Sequence, residues 1–228
     1  MLHSIFRSSS SARADDWSYS GATGPQFWGF PYPVCGRGTQ QSPIDINTLT
    51  LVPYLLFPPL VLNDRFSLPV AMEMENNGHG VDINFKNPSG LYISGAGLSG
   101  LYQADGFHLH WGADSRRGSE HSINSIRFPL ELHLVTFNTK YLTLTSALNF
   151  PDGLAVFSVL FTVSPVDNPA LTPIVSKLPF VTLPDTDVDL DPMTLTSLLP
   201  GDLSAFYRYQ GSLTTPECQE SVTWTVFR

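Results

Sequence analysis

Cysteine is almost missing from this 228-residue chain, which carries only Cys35 and Cys218. Two thiols so far apart cannot build a thiolate metal cluster, which leaves either a disulfide or two free thiols. Cations are scarce too, with 12 Lys and Arg against 20 Asp and Glu, a formal charge of -8 and a pI near 5.0. A nucleic-acid surface needs clustered Lys and Arg, so no nucleic-acid partner is expected. No apolar run approaches the roughly 18 residues of a membrane span; the stretch from Leu49 to Leu62 is broken by Pro53, Pro58 and Pro59. There is no Asn-x-Ser/Thr acceptor with a permitted middle residue, no internal repeat and no linker-like interior stretch. Residues Met1 to Asp15 hold Arg7, Arg13 and a serine run from Ser8 to Ser11 but no apolar segment of the kind a secretory signal needs. They read as a disordered tail, with one domain over 16–228.

What is present favours a folded, mainly β domain. Hydrophobic residues make up 42% and charged residues 14%, enough to bury one large core and unlike a disordered chain. The 19 prolines and 17 glycines punctuate short apolar segments, as in all-β proteins of this length. Alternation and β-branched or aromatic enrichment predict strands over Val70 to Glu75, Val81 to Phe85, Leu91 to Ser94, Gly106 to Trp111, Leu130 to Asn138, Leu154 to Val163 and Ser221 to Phe227. Minor helices are expected over Asn168 to Leu178 and Met193 to Leu199.

Residues two apart on a strand share a face, so His108 and His110 project together while Phe107, Leu109 and Trp111 point away. In the segment Leu130 to Val135, His133 and Glu131 likewise share a face, opposite three aliphatic side chains. If the two strands are neighbours, three imidazole nitrogens converge on one divalent ion and leave a fourth tetrahedral position for water, a catalytic arrangement. Glu131 is then well placed to orient an imidazole from behind. Spacing alone leaves surface or core histidines as an equal reading.

The order of six blocks goes further. Gln41-Ser-Pro-Ile-Asp-Ile46, Asn76-Asn-Gly-His-Gly80, Phe107-His-Leu-His-Trp-Gly112, Gly118-Ser-Glu-His121, Glu131-Leu-His-Leu-Val135 and Gly211-Ser-Leu-Thr-Thr-Pro216 together resemble the alpha class of carbonic anhydrases. The resemblance runs from about Asp16 to Arg228. It implies a large, twisted, mostly antiparallel sheet with a conical zinc cleft, and reversible hydration of carbon dioxide to bicarbonate and a proton by a zinc-bound hydroxide.

By resemblance, His108, His110 and His133 are the ligands of Zn2+, which lowers the pKa of its water to about 7, a value known from carbonic anhydrases themselves. Thr214 corresponds to the hydroxyl that accepts from this hydroxide and donates to Glu120; an ionised carboxylate only accepts, which fixes the direction of the threonine proton. Val135, Val156, Leu213 and Trp224 correspond to the apolar pocket for carbon dioxide, with Thr215 beside bicarbonate. His79 corresponds to the proton shuttle, an ordinary pKa near 6.5 suiting it to relay near neutrality, and Asn77 and Asp82 stand next to it. His121 corresponds to a buried structural histidine. Cys35 and Cys218 correspond to a disulfide that braces the Thr214 loop in extracellular members, which implies a secreted or extracellular protein.

Three departures qualify these expectations. Gly106 stands where many members have a glutamine bonded to the first zinc histidine, a loss of about 10- to 100-fold in metal affinity or activity unless Gln103, Asp105 or water substitutes. The family continues beyond the block Val222 to Phe227 with a strand that threads into the sheet and a carbonyl that orients the second histidine. The chain is therefore expected to be C-terminally truncated, less stable and weaker in zinc binding than an extended version. Glu217 replaces a frequent proline, with little expected effect. The alternative function is a zinc-binding but weakly active or inactive scaffold; a metal-free β-rich binding protein would need every histidine to be coincidental.

Overall fold

The segment Leu130 to Asn138 serves two layers at once. Leu132 and Leu134 enter one apolar cluster, Val135 and Phe137 a second, and the strand is buried almost throughout because its sheet is covered on both faces. The computed structural model describes residues 17–53, 57–88 and 90–228, so the tail expected over 1–15 lies outside the described residues.

The strands run β1 (Asp45–Ile46), β2 (Leu60–Leu62), β3 (Val70–Asn76), β4 (Val81–Phe85), β5 (Tyr92–Gly95), β6 (Tyr102–Trp111), β7 (Ser122–Ile123), β8 (Ile126–Arg127), β9 (Leu130–Asn138), β10 (Leu154–Phe161), β11 (Thr186–Met193), β12 (Phe206–Gly211) and β13 (Val222–Phe227). Short helices α1 (Pro33–Arg37), α2 (Leu144–Ala147) and α3 (Thr172–Val175) sit in the connections. Ten strands form one mixed sheet in the order β11-β3-β4-β6-β9-β10-β13-β12, with β5 and β2 branching from β6. Its pairings are antiparallel except that of β10 with β13. The fold is thus a single, mainly β domain with a large, mostly antiparallel sheet.

All seven expected strands are present, with ends shifted by a few residues in most. The helix expected over Asn168 to Leu178 is instead three short pieces, a 3-10 turn Pro169–Leu171, α3 and a 3-10 turn Leu178–Phe180. Pro173 and Pro179 lack the N–H that a continuous helix would use there. The second expected helix shrinks to a 3-10 turn, Leu195–Leu198, because Met193 closes β11.

One irregularity decides which face the histidines occupy. Tyr102 and Ala104 have the same parity as His108 and His110, yet they pack in the large cluster with Phe107 and Leu109. The pairing of β6 with β9 slips by one residue between Ala104 and Gly106, so Asp105 is a bulge that inverts the alternation. Downstream of it Phe107 and Leu109 turn into the core and the two imidazoles turn to the opposite face. The core they leave behind is anchored by fully buried Phe66, Met72, Ile83, Leu132 and Phe157, each contributing about 2 to 3 kcal/mol by burial.

Candidate metal centre

His108 on β6 is the direct register partner of His133 on β9, and His110 is that of Glu131. Antiparallel neighbours therefore carry all three rings on one face, with ring centroids 4.6 to 5.1 Å apart. One nitrogen from each of His108, His110 and His133 lies within 4.8 Å of the others. His108 Nε2 and His133 Nδ1 are 3.2 Å apart, near the about 3.3 Å edge of a tetrahedron with 2.0 to 2.1 Å bonds. His110 Nε2 is buried and has no hydrogen-bond partner among the described residues. Burial holds all three rings below the ordinary histidine pKa, His108 well below and His110 at about 4. Neutral rings keep a lone pair to donate, so the residues fit a divalent cation with nitrogen preference.

A carboxylate behind them fixes the third ring. Glu131 is fully buried, and its Oε1 accepts from His133 Nε2 at 2.7 Å, His121 Nδ1 at 2.6 Å and Ser158 Oγ at 2.6 Å. Its Oε2 accepts the backbone N–H groups of Glu120 and His121 at 2.8 and 2.9 Å. Burial by itself would raise the Glu131 pKa, but His133, His121 and these bonds bring it well below the usual carboxylate range. His121, Glu131 and His133 also lie close enough together to suggest a second metal group. Their facing atoms are already spent on one another, and His121 Nε2 meets Tyr209 Oη at 2.6 Å, so a hydrogen-bond network accounts for them.

The three rings open into a cleft of about 410 Å³. On one side Val135, Val156, Leu213 and Trp224 line it together with Thr214 and Thr215. Glu120 lies deeper, its Oε2 3.4 Å from His110 Nε2. Burial raises its pKa to about 6, while His133 and a hydrogen bond with Thr214 pull it down. The Thr214 loop is held by the Cys35–Cys218 disulfide, by the bond from Leu213 N to Gln219 O at 3.0 Å and by that from Cys218 N to Thr215 O at 2.9 Å.

At the mouth, His79 stacks on Trp17 with centroids 3.7 Å apart and planes 11° from parallel. Burial lowers its pKa. Asn77 ties this corner together: its Oδ1 accepts from the N–H groups of His79 and Gly80, both at 2.8 Å, and its Nδ2 donates to Asp82 Oδ2 at 2.8 Å. Burial pushes Asp82 up to about 7. The three histidines, His79, Glu120, Thr214, Thr215 and the four apolar residues expected from sequence thus line one cleft, while Glu131 and the Cys35–Cys218 disulfide lie outside its lining.

Residues 23–228 match the model of the eukaryotic-type carbonic anhydrase family. The chain belongs to that family. It is 39% identical over 219 residues to carbonic anhydrase 6 of Mus musculus, an alignment covering 93% of this chain and 68% of that one. It is 38% identical over 215 residues to carbonic anhydrase 12 of Homo sapiens, covering 93% of this chain and 59% of the relative. No helix among the described residues is long and apolar enough to cross a membrane.

Within this carbonic anhydrase fold, Gly106 has a local reason. A Cβ there would lie 2.7 Å from the Ile83 carbonyl oxygen, so β4 and β6 approach too closely for any side chain. Neither Gln103 nor Asp105 lines the cleft. Sequence reasoning missed Trp17, Tyr19, Arg117 and Arg127, which all border the cleft; each sits in a segment without periodicity, where no spacing signals a site. Trp111, expected to face away, also borders the mouth because β6 ends there and leaves its ring half exposed.

Proposed function

We propose that this protein catalyses the reversible hydration of carbon dioxide, CO2 + H2O giving HCO3− and H+, with zinc held by His108, His110 and His133. The carrying observation is the set of three neutral imidazoles, His133 buried and His108 and His110 partly buried, with one nitrogen of each converging while Glu131 fixes the outward nitrogen of His133. Zinc in such a site supplies Lewis acidity and a water acidic enough to ionise near neutral pH. The chain supplies the rest. Val135, Val156, Leu213 and Trp224 receive an uncharged substrate away from bulk water. Glu120, as a carboxylate, accepts the Thr214 proton, so Thr214 Oγ1 is left to accept a hydrogen bond from within the cleft. Thr215 lines the same wall and suits the bicarbonate product. His79, at the mouth, takes the released proton on its ring and hands it to buffer. The disulfide fits an oxidising compartment, and with it a secreted or extracellular location.

The test is stopped-flow carbon dioxide hydration with zinc content measured on the same sample. One equivalent of zinc together with rapid hydration, both lost in His133→Ala, is expected. One equivalent of zinc without hydration would select a scaffold role instead.

A further inference from the structure

The cleft is electrically lopsided. Among the described residues lining it, the only Lys or Arg side chains are Arg117 and Arg127, and both stand on the β6–β9 connection that forms one lip. The lining also carries Asp82 on β4, whose register partner on β3 is Glu75. In a chain with only 12 cations and a formal charge of -8, two arginines gather on one connection, whose own cleft carboxylate, Glu120, is turned toward His110 with its Oε2 3.4 Å from Nε2.

The lip is built rather than draped. A Cβ on Gly112 would run into the Arg117 carbonyl, and one on Gly118 into that of Pro129, so the backbone on both sides of Arg117 is packed at glycine distance. Gly118 N and Ser119 N both donate to Phe128 O, at 2.9 and 2.7 Å. Arg127 Nη1 donates to Ser119 O at 2.7 Å, fixing its guanidinium over the residue that precedes Glu120. Arg116 points elsewhere: its side chain is 82% exposed and its Nε faces Asp114 Oδ1 at 3.4 Å.

We propose that Arg117 and Arg127 form an anion-collecting lip that receives bicarbonate at the mouth of the cleft; this rests on the reaction proposed above. Bicarbonate presents a planar, carboxylate-like pair of oxygens that a guanidinium fork matches. A cleft with low-dielectric walls focuses the field of such cations on an anion passing through it. The neutral substrate does not feel that field directly, so the lip acts through the anion; because the reaction is reversible, any change it makes in kcat/KM is the same in both directions.

The experiment uses zinc-loaded protein with 15N-labelled arginine, titrated with sodium bicarbonate. The Nε–Hε signals of Arg117 and Arg127, assigned from Arg117→Gln and Arg127→Gln, are expected to move saturably at low ionic strength. The movement should collapse near about 0.5 M salt, where screening reaches only a few ångströms. In bicarbonate dehydration, Arg117→Gln should raise KM about threefold at low salt, with Arg117→Lys in between and Arg116→Gln unchanged. Signals that do not move, or an equal KM rise in Arg116→Gln, would overturn the lip. Signals that move in a protein that does not interconvert carbon dioxide and bicarbonate would support the lip and overturn the proposed reaction, so the two failures are separable.

Discussion

Glu131 holds His133 by its Nε2, at 2.7 Å, and in doing so leaves Nδ1 as the nitrogen that faces the other two rings. Converting the carboxylate to an amide removes a charge that stabilises five donors at once and puts an N–H where an acceptor is needed. Glu131→Gln is expected to weaken zinc binding by about 10- to 100-fold. Competition titration with a chelator measures it, and an unchanged zinc dissociation constant would take Glu131 out of the site.

The stack of His79 on Trp17 has a kinetic signature. Burial keeps the ring neutral, and able to accept a proton, down to a pH below its ordinary value. The limb of the kcat profile that reports this ring should therefore fall only below about pH 6.5. Trp17→Ala exposes the ring and should shift that limb upward. His79→Ala should lower kcat by about tenfold or more with kcat/KM preserved, and imidazole buffer should restore it. A kcat equal to wild type in His79→Ala would assign proton export to another group.

Gly106 cannot be repaired by installing a side chain. Its would-be Cβ meets the Ile83 carbonyl oxygen at 2.7 Å, so Gly106→Ala or Gly106→Gln has to push β4 and β6 apart. A loss of about 1 to 3 kcal/mol is expected, read as a lower denaturation midpoint. A glutamine variant as stable as wild type, with tighter zinc, would show that the strands give way at no cost.

Removing the Cys35–Cys218 bridge, which spans 183 residues, is expected to destabilise the fold by about 2 to 5 kcal/mol. A Cys35→Ser, Cys218→Ser double variant avoids leaving a stray thiol. Because the bridge abuts the Thr214 loop, hydration should drop more than zinc content does. Parallel losses of both would point to general unfolding instead.

Much of the site could be read before any coordinates. The alternation around His108, His110 and His133 fixed which side chains share a face within each strand, and β4 and β9 have the expected bounds. What failed has physical causes. β6 begins four residues before the expected start because the Asp105 bulge interrupts the period of two, so Tyr102 to Asp105 looked unrelated to the histidine segment. β11 went unseen because an edge strand with Asp187, Asp189, Asp191 and Pro192 has the composition of a loop. β12 is short and polar at Arg208 and Gln210. The bond between His121 and Tyr209 joins residues 88 apart, and nothing local in either segment announces the other.

The parallel pairing of β10 with β13 makes one wall of the cleft depend on residues far apart in sequence. β6 and β9, close in sequence, bring the three imidazoles to one face. Trp224 comes to lie beside Val156 through the pairing of β13 with β10, a long-range contact of the kind that slows folding. The grip on a cation thus depends on neighbouring strands close in sequence, whereas the apolar surface beside it depends on a long-range pairing, and the two can be weakened separately.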